Sequence, residues 1–419
     1  MSVAHLYTES DSVVAQYEKW SYPAPVDDLS DPSLARYVQS FGVLSNLAPI
    51  YWPGGHARQD LDVLVAGCGT MAGACYAHLN PRCRVVAIDI SRASLAHEQK
   101  LKTRHNLSNL TLHQCPVEDV ARLGATFDYV ACHGVLHHLP EPVAGLRALG
   151  EVLRPVGVIA LMLYGKYGRA QVYPFQELFR IIGLEQEPED VAVVRQTLGA
   201  LPANHPLQFY LRSATDLKED AGLVDTFLHR RDIAYSVADC LDLVEDAGLA
   251  FQGWDQNFHY HPEGLFAGAP MLRERIERLP EREMWKAMEL ASGALGIHFF
   301  HACRADRDPS TYRAPWDSPA LLDCVPMFAG KLAKGAWPDG RPAWAMVRAG
   351  LPPIALSEAQ AATVSRIDGR RTARECVVGA GATGDQAALH AFAKSVFGLL
   401  WRTGFGVMRL TPRLQKLES

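Results

Sequence analysis

An apolar run that closes on a glycine-rich turn, LDVLVAGCGTMAGACYAHL at residues 61–79, constrains this chain more than any other stretch. Gly67, Gly69 and Gly73 fall between a strand pattern and a helix pattern. Glycine there admits dihedrals that other residues avoid and lets a ligand touch bare backbone. The helix that follows offers unpaired N–H groups to an oxygen-rich ligand. The spacing leaves the ligand open. GCGTMA fits a dinucleotide turn with Ala72 in the third place, and the longer GCGTMAG, ending on Gly73, fits a second class of adenosine-bearing ligand equally well. Asp89 closes the next apolar run, RVVAIDI at 84–90. A carboxylate at that place can accept both hydroxyl protons of a ribose, so it suits either class.

Further short apolar runs follow: LTLHQC (110–115), FDYVAC (127–132) and VIALMLY (158–164). Helical patterns lie between them, the first opened by Ser91 as an N-cap. Strands rich in Val, Ile and Leu that alternate with helices predict an α/β fold with a doubly wound parallel sheet. After Tyr164 the alternation stops until YSVADCLDLVEDAGLAFQGW, where Ser236 and Asp239 form a capping box and LAFQGW reads as a strand. IHFFHACRA (297–305) reads as the final strand. These patterns predict a lead-in at 1–59 and a sheet domain at 60–306. That domain carries helical insertions at about 165–235 and 257–295. A Pro-, Trp- and Gly-rich linker at 307–349 and a small domain at 350–419 complete the chain.

The fourth run separates the ligand classes. FDYVACHGVLHHLPEP closely resembles the strand-four signature of S-adenosylmethionine-dependent methyltransferases. EVLRPVGVIALMLYGKYGR continues the likeness, with a helix ending in LRPVG before strand five. On these motifs the chain resembles the class I methyltransferase family, well over 60–165 and more loosely over 236–305. The resemblance implies a seven-stranded sheet with its last strand antiparallel, and S-adenosyl-L-methionine as cofactor. It further implies that Gly67, Cys68, Gly69 and Gly73 cradle the methionine and ribose, that Asp89 binds the ribose, and that Ile90 lies against adenine. Pro116 stands where such enzymes often place an aspartate, which makes Val117 and Glu118 the adenine neighbours. His133, Gly134 and Val135 match the residues beside the methionine end. Tyr17, Trp20 and Tyr22, followed by Pro23, match a lid that folds over the cofactor, where aromatic faces favour a sulfonium. The activated methyl group asks mainly for an aligned nucleophile and excluded water, so the resemblance names no catalytic residue.

Loops at the carboxyl ends of parallel strands face the ligand crevice. Tyr164, Tyr167 and Arg169 are therefore candidates to meet the acceptor, with Arg169 able to clamp a carboxylate or phosphate. His229 leads from the insertion back to the sheet and joins them. His137 and His138 point different ways in a helical turn and read as packing. Asp225, His229 and Asp232 lie close in sequence, as do His259 and His261, but the better reading is a polar loop, and no metal is expected. IALSEAQAATVSRIDGRRTARECV, with its Asp368-Gly369 turn, weakly resembles winged-helix domains that recruit peptides. The following helix QAALHAFAKSVFGLLW has one lysine, which argues against DNA.

A net charge of −5 gives no overall attraction to nucleic acid or anionic membrane, and the apolar runs are too short to span a bilayer. No secretory signal is expected from the N-terminus. Nine scattered cysteines without a C-x-x-C pair suit free thiols in a reducing cytoplasm. The sequence thus predicts a cytoplasmic methyltransferase acting on a small-molecule or peptide/protein acceptor, with a homodimer possible. A non-catalytic cofactor-binding scaffold and a nicotinamide oxidoreductase are the alternatives.

Overall fold

The computed structural model describes residues 12–410 except 57, 59, 264, 267 and 337–341. Seven strands form one sheet in the order β3-β2-β1-β4-β5-β7-β6. They are β1 (Asp62–Ala66), β2 (Arg84–Asp89), β3 (Leu110–Gln114), β4 (Phe127–His133), β5 (Leu153–Tyr164), β6 (Leu249–Trp254) and β7 (Ile297–Arg304). The β1–β2, β1–β4, β2–β3 and β4–β5 pairs are parallel, and β7 runs antiparallel to β5. This is the expected class I sheet. Val63, Leu64 and Val65 are buried, as a central strand covered on both faces requires. The chain reverses its winding between β1 and β4, which opens a crevice at the strands' carboxyl ends. Gly67, Asp89, His133 and Tyr164 all sit there, each at or just past a strand end.

One local reading is corrected. LRPVG does not end a helix: the helix Pro142–Glu151 stops earlier and β5 begins at Leu153. Pro155 cannot continue a helix, and the segment instead pairs with β4 through a register shift between Phe127 and Tyr129.

The expected insertion is a closed excursion. Tyr235 N donates to Tyr164 O at 2.8 Å, and Lys166 N to Tyr235 O at 2.9 Å, so its two ends lie side by side. Between them, helices including Val172–Ile181, Pro188–Gly199 and Asp220–Phe227 enclose a core of Val172, Phe179, Val194, Leu223 and Phe227.

The chain divides into two compact units. The first comprises the chain up to residue 44 with 58–251 and 293–306; the second comprises 45–57, 252–292 and the chain from 307 onward. Most of the second helical insertion, expected at 257–295, thus groups with the C-terminal part. The stretch expected to be a linker, 307–349, carries strands among its described residues. It holds β8 (Val325–Phe328), β9 (Lys331–Ala336) and β10 (Pro342–Val347). With β11 (Ile354–Leu356) and β12 (Gly406–Arg409) these form a three-stranded sheet, β11-β10-β9, and a pair, β12-β8. Leu321, Leu322 and Cys324 are fully buried with Val377, Val396 and Phe397. Pro326 lies within β8 and Gly335 within β9, which hid this core. Helices Glu358–Val364, Ala373–Gly379 and Gln386–Arg402 complete the unit, the first two opened by the capping boxes Ser357/Gln360 and Thr372/Glu375. No helix among the described residues is long and apolar enough to cross a membrane. All nine cysteines are free and buried.

Candidate functional site

The glycine turn is shaped by what surrounds it. Gly67 has φ +73°, and a Cβ there would lie 2.3 Å from Val135 Cγ2. The β1 turn and the β4 turn therefore touch through a contact that only glycine permits. Gly69 has φ +53°, and a Cβ there would lie 2.8 Å from the Tyr22 carbonyl oxygen. The lead-in crosses the turn at this point, and Thr70 Oγ1 donates to Pro23 O at 2.8 Å to hold it. Gly69 N and Ser91 N each donate to one oxygen of Asp89 at 2.8 Å. Burial raises the Asp89 carboxyl above its ordinary value, while these backbone donors pull it down. A carboxylate offers about four lone-pair sites, so Asp89 keeps acceptor capacity beside these backbone donors, which suits a ribose hydroxyl.

Beneath the turn lies Glu98, on the helix Arg92–Arg104. It is fully buried and accepts from Gly73 N at 2.7 Å and Ala74 N at 2.8 Å. These are first-turn amides of the helix Ala72–Leu79, whose own N-cap, Met71, supplies no side-chain acceptor. Burial pushes the Glu98 carboxyl up to about 8 despite the two amides. The signal for Glu98 was an acid on the buried stripe of its helix, with Ser94 and Leu101 four and three residues away.

Ile90 follows β2, and its carbonyl accepts from Gln114 Nε2 at 3.0 Å. Val117 is buried and Glu118 half-buried at the start of a 3-10 turn just after β3. His133 ends β4 with its ring edge-on to Phe299, and Gly134 follows with φ +75°. Cys68 is buried within the turn, where desolvation raises its thiol well above the ordinary range.

The insertion builds a second group of polar side chains past the ends of β4 and β5. Tyr17 Oη and Tyr164 Oη each donate to one oxygen of Asp225 at 3.0 Å. His229 Nε2 lies 3.3 Å from Tyr17 Oη. The His138 and His229 rings stack at 3.9 Å, and His137 stacks on Tyr164 at 4.0 Å. Burial drives every shift here: Asp225, Tyr17 and Tyr164 are raised, and His137 and His229 are lowered well below the usual imidazole range. Tyr17 joins this group to the first, because its carbonyl accepts from Ser91 Oγ at 3.3 Å beside Asp89.

Ligand atoms of His138, Asp225 and His229 lie within 4.8 Å of one another, close enough for a metal ion. The hydrogen bonds argue for protons instead. Arg231 N–H donates to His229 Nδ1 at 2.9 Å, which leaves the proton of a neutral ring on Nε2. His229 then has no lone pair to offer an ion.

Several expectations change. Arg169 is engaged by neighbours within the first unit. Its guanidinium ion-pairs with Asp232 at 3.1 Å, donates to Tyr210 Oη at 2.7 Å and covers the Tyr164 ring at 3.7 Å. Burial favours its neutral form, but these neighbours outweigh that and hold it charged. Asp232 therefore belongs to Arg169 and not to a trio with Asp225 and His229. Trp20 turns away from the cofactor crevice: its Nε1 donates to Gln186 O at 2.9 Å and its ring packs on the insertion core. Tyr22 contributes its backbone to the turn and sends its hydroxyl to Asp216 at 2.8 Å. Tyr167 is 37% exposed and outside the group. His138, read as packing, is a member. His259 and His261 lie in the other unit.

Residues 64–159 match the methyltransferase domain family model. An uncharacterized protein of Synechococcus sp. is 31% identical over 292 residues, which cover 67% of this chain and 68% of that one. The ubiquinone biosynthesis O-methyltransferase of Acinetobacter baumannii is 30% identical over 126 residues, 29% of this chain and 49% of that one. The structure of PKMT2 from Rickettsia typhi in complex with AdoHcy superposes with a TM-score of 0.58 at 14% identity, covering 92% of this chain and 77% of its own. That likeness shows the fold.

Proposed function

Because the chain belongs to the class I S-adenosylmethionine-dependent methyltransferase family, we propose that it transfers the methyl group to a hydroxyl or amine admitted between the turn after β4 and the helical insertion. One observation carries this reading. Tyr17 reaches from Ser91, beside Asp89, to Asp225 in the polar group of the insertion. A cofactor held by Gly67, Gly69 and Asp89 would then present its sulfonium methyl toward that group, under a lid formed by Tyr17, Tyr22 and Pro23. With Arg169 engaged by Asp232 and the tyrosines, the group supplies a carboxylate, phenols and imidazoles. That chemistry suits a neutral or cationic acceptor better than an anionic one. The acceptor is a small molecule or a slender peptide; the C-terminal unit, as a winged-helix-like module, would hold a peptide. A cytoplasmic site of action accords with nine scattered cysteines that include no C-x-x-C pair.

Calorimetry with AdoHcy, followed by incubation of the protein and labelled S-adenosylmethionine with soluble cell extract, tests the reading. Tight AdoHcy binding and labelled product are expected, and product should fall sharply in Asp225→Asn while AdoHcy affinity holds. Binding without product in any fraction would refute transfer.

A further inference from the structure

The peptide groups on either side of Arg231 fix opposite tautomers on two stacked imidazoles. Its carbonyl can only accept, so His138 Nδ1, 2.8 Å away, must carry a proton. Its N–H can only donate, so His229 Nδ1, 2.9 Å away, must carry a lone pair. In the neutral rings His138 Nε2 is therefore bare and His229 Nε2 is protonated. The ring of His138 stacks on His229 at 3.9 Å and meets His137 edge-on at 4.2 Å. His138 Nε2 has no hydrogen-bond partner among the described residues, whereas His229 Nε2 faces Tyr17 Oη at 3.3 Å. A second feature marks the same place as a site for a ligand. His137 is fully buried, and neither of its ring nitrogens has a partner among the described residues. Leaving both unmade is costly unless a bound molecule meets them.

We propose that His138 Nε2 is the proton acceptor of the methyl transfer, with its tautomer preset by Arg231. This rests on the transfer reading above. The acceptor's lone pair attacks the methyl carbon and forms the new bond. The carbon–sulfur bond breaks, and its electron pair stays on sulfur to give the neutral thioether. The proton of the attacking hydroxyl or amine passes to His138 Nε2. The resulting imidazolium lies beside the Asp225 carboxylate, whose two oxygens Tyr17 and Tyr164 hold in place. Tyr17, Tyr164 and His229 act as positioning residues, through Asp225 and the stacked ring. A base of this kind contributes roughly a hundredfold or more to rate.

The test has two arms on the full chain. Long-range proton–nitrogen spectra of the wild type with AdoHcy at pH 8 should show His138 as the Nδ1–H tautomer and His229 as the Nε2–H tautomer; any other pairing overturns the proposal. Label transfer from S-adenosylmethionine into soluble cell extract should fall about a hundredfold in His138→Ala and His138→Gln. AdoHcy affinity should stay within about threefold of wild type in both, and added imidazole should restore part of the rate in His138→Ala alone. A variant that binds AdoHcy normally and keeps its rate, or loses rate without imidazole rescue, overturns the proposal. Wild-type protein that binds AdoHcy yet labels nothing overturns the transfer reading, and this inference with it.

Discussion

The contact between Gly67 and Val135 can be tested by a double-mutant cycle. Gly67→Ala adds two penalties. The first is the left-handed φ of +73°, which disfavours any side chain by about 1–2 kcal/mol. The second is overlap, because the new Cβ would sit 2.3 Å from Val135 Cγ2 and 3.1 Å from Cγ1. Overpacking of this kind typically costs about 1–3 kcal/mol. Together they give about 2–5 kcal/mol. Val135→Ala deletes both γ carbons and leaves only the Cβ at 3.3 Å. In the double mutant most of the overlap should be relieved, with the Cβ still close at 3.3 Å, while the dihedral penalty remains. The two changes should therefore couple by about 1–3 kcal/mol in the stabilising direction. The strain will emerge as lost stability or, where the turn relaxes in the free protein, as lost affinity for AdoHcy. Denaturant unfolding and AdoHcy calorimetry on all four proteins, summed, give the coupling. Additivity within about 0.5 kcal/mol would refute the claim that the two turns meet at this point.

Other outcomes follow from the same geometry. Asp89→Ala removes the acceptor of Gly69 N and Ser91 N together with the carboxylate expected to meet the ribose, and should weaken AdoHcy binding by about 1–3 kcal/mol in calorimetry. Tyr17→Phe removes the donor to Asp225 but keeps the carbonyl that meets Ser91; label transfer should drop while AdoHcy affinity stays within a few-fold. Glu98 keeps its proton to about pH 8 in the fold but releases it near its ordinary value when unfolded. The folded chain thus holds the extra proton across that window, and stability should fall as pH rises through it, by up to about 1.4 kcal/mol per pH unit. The slope should be absent from Glu98→Gln, so equal slopes in the two proteins would refute the assignment. A chain ending at residue 349 lacks β12 and strips Leu321, Leu322 and Cys324 of their partners. Limited proteolysis should cut it rapidly within 319–336, where the full chain should resist.

Much of the sheet half was legible in the sequence, because each of its signals is local. Short Val- and Leu-rich runs mark strands, a glycine turn marks the crevice, and Ser91 and Ser236 mark helix starts through side chains that reach only three residues ahead. The second unit was read less well. Its strands at 307–349 are short and interrupted by proline and glycine, so their period of two never accumulates.

The sequence by itself determined the α/β order of elements and the glycine turn, and singled out Gly67, Gly69, Asp89 and Tyr17 as candidate site residues. Only the tertiary structure decided that Glu98 secures the start of the helix Ala72–Leu79, that Arg169 closes on Asp232, and that His138 joins Asp225 and His229. The reason is separation along the chain. Arg169 and Asp232 lie 63 positions apart, and Tyr17 and Asp225 lie 208 apart. A pattern of a few residues fixes a backbone bend, but the partner of a buried charge or imidazole is whatever the folded chain brings within about 3 Å of it.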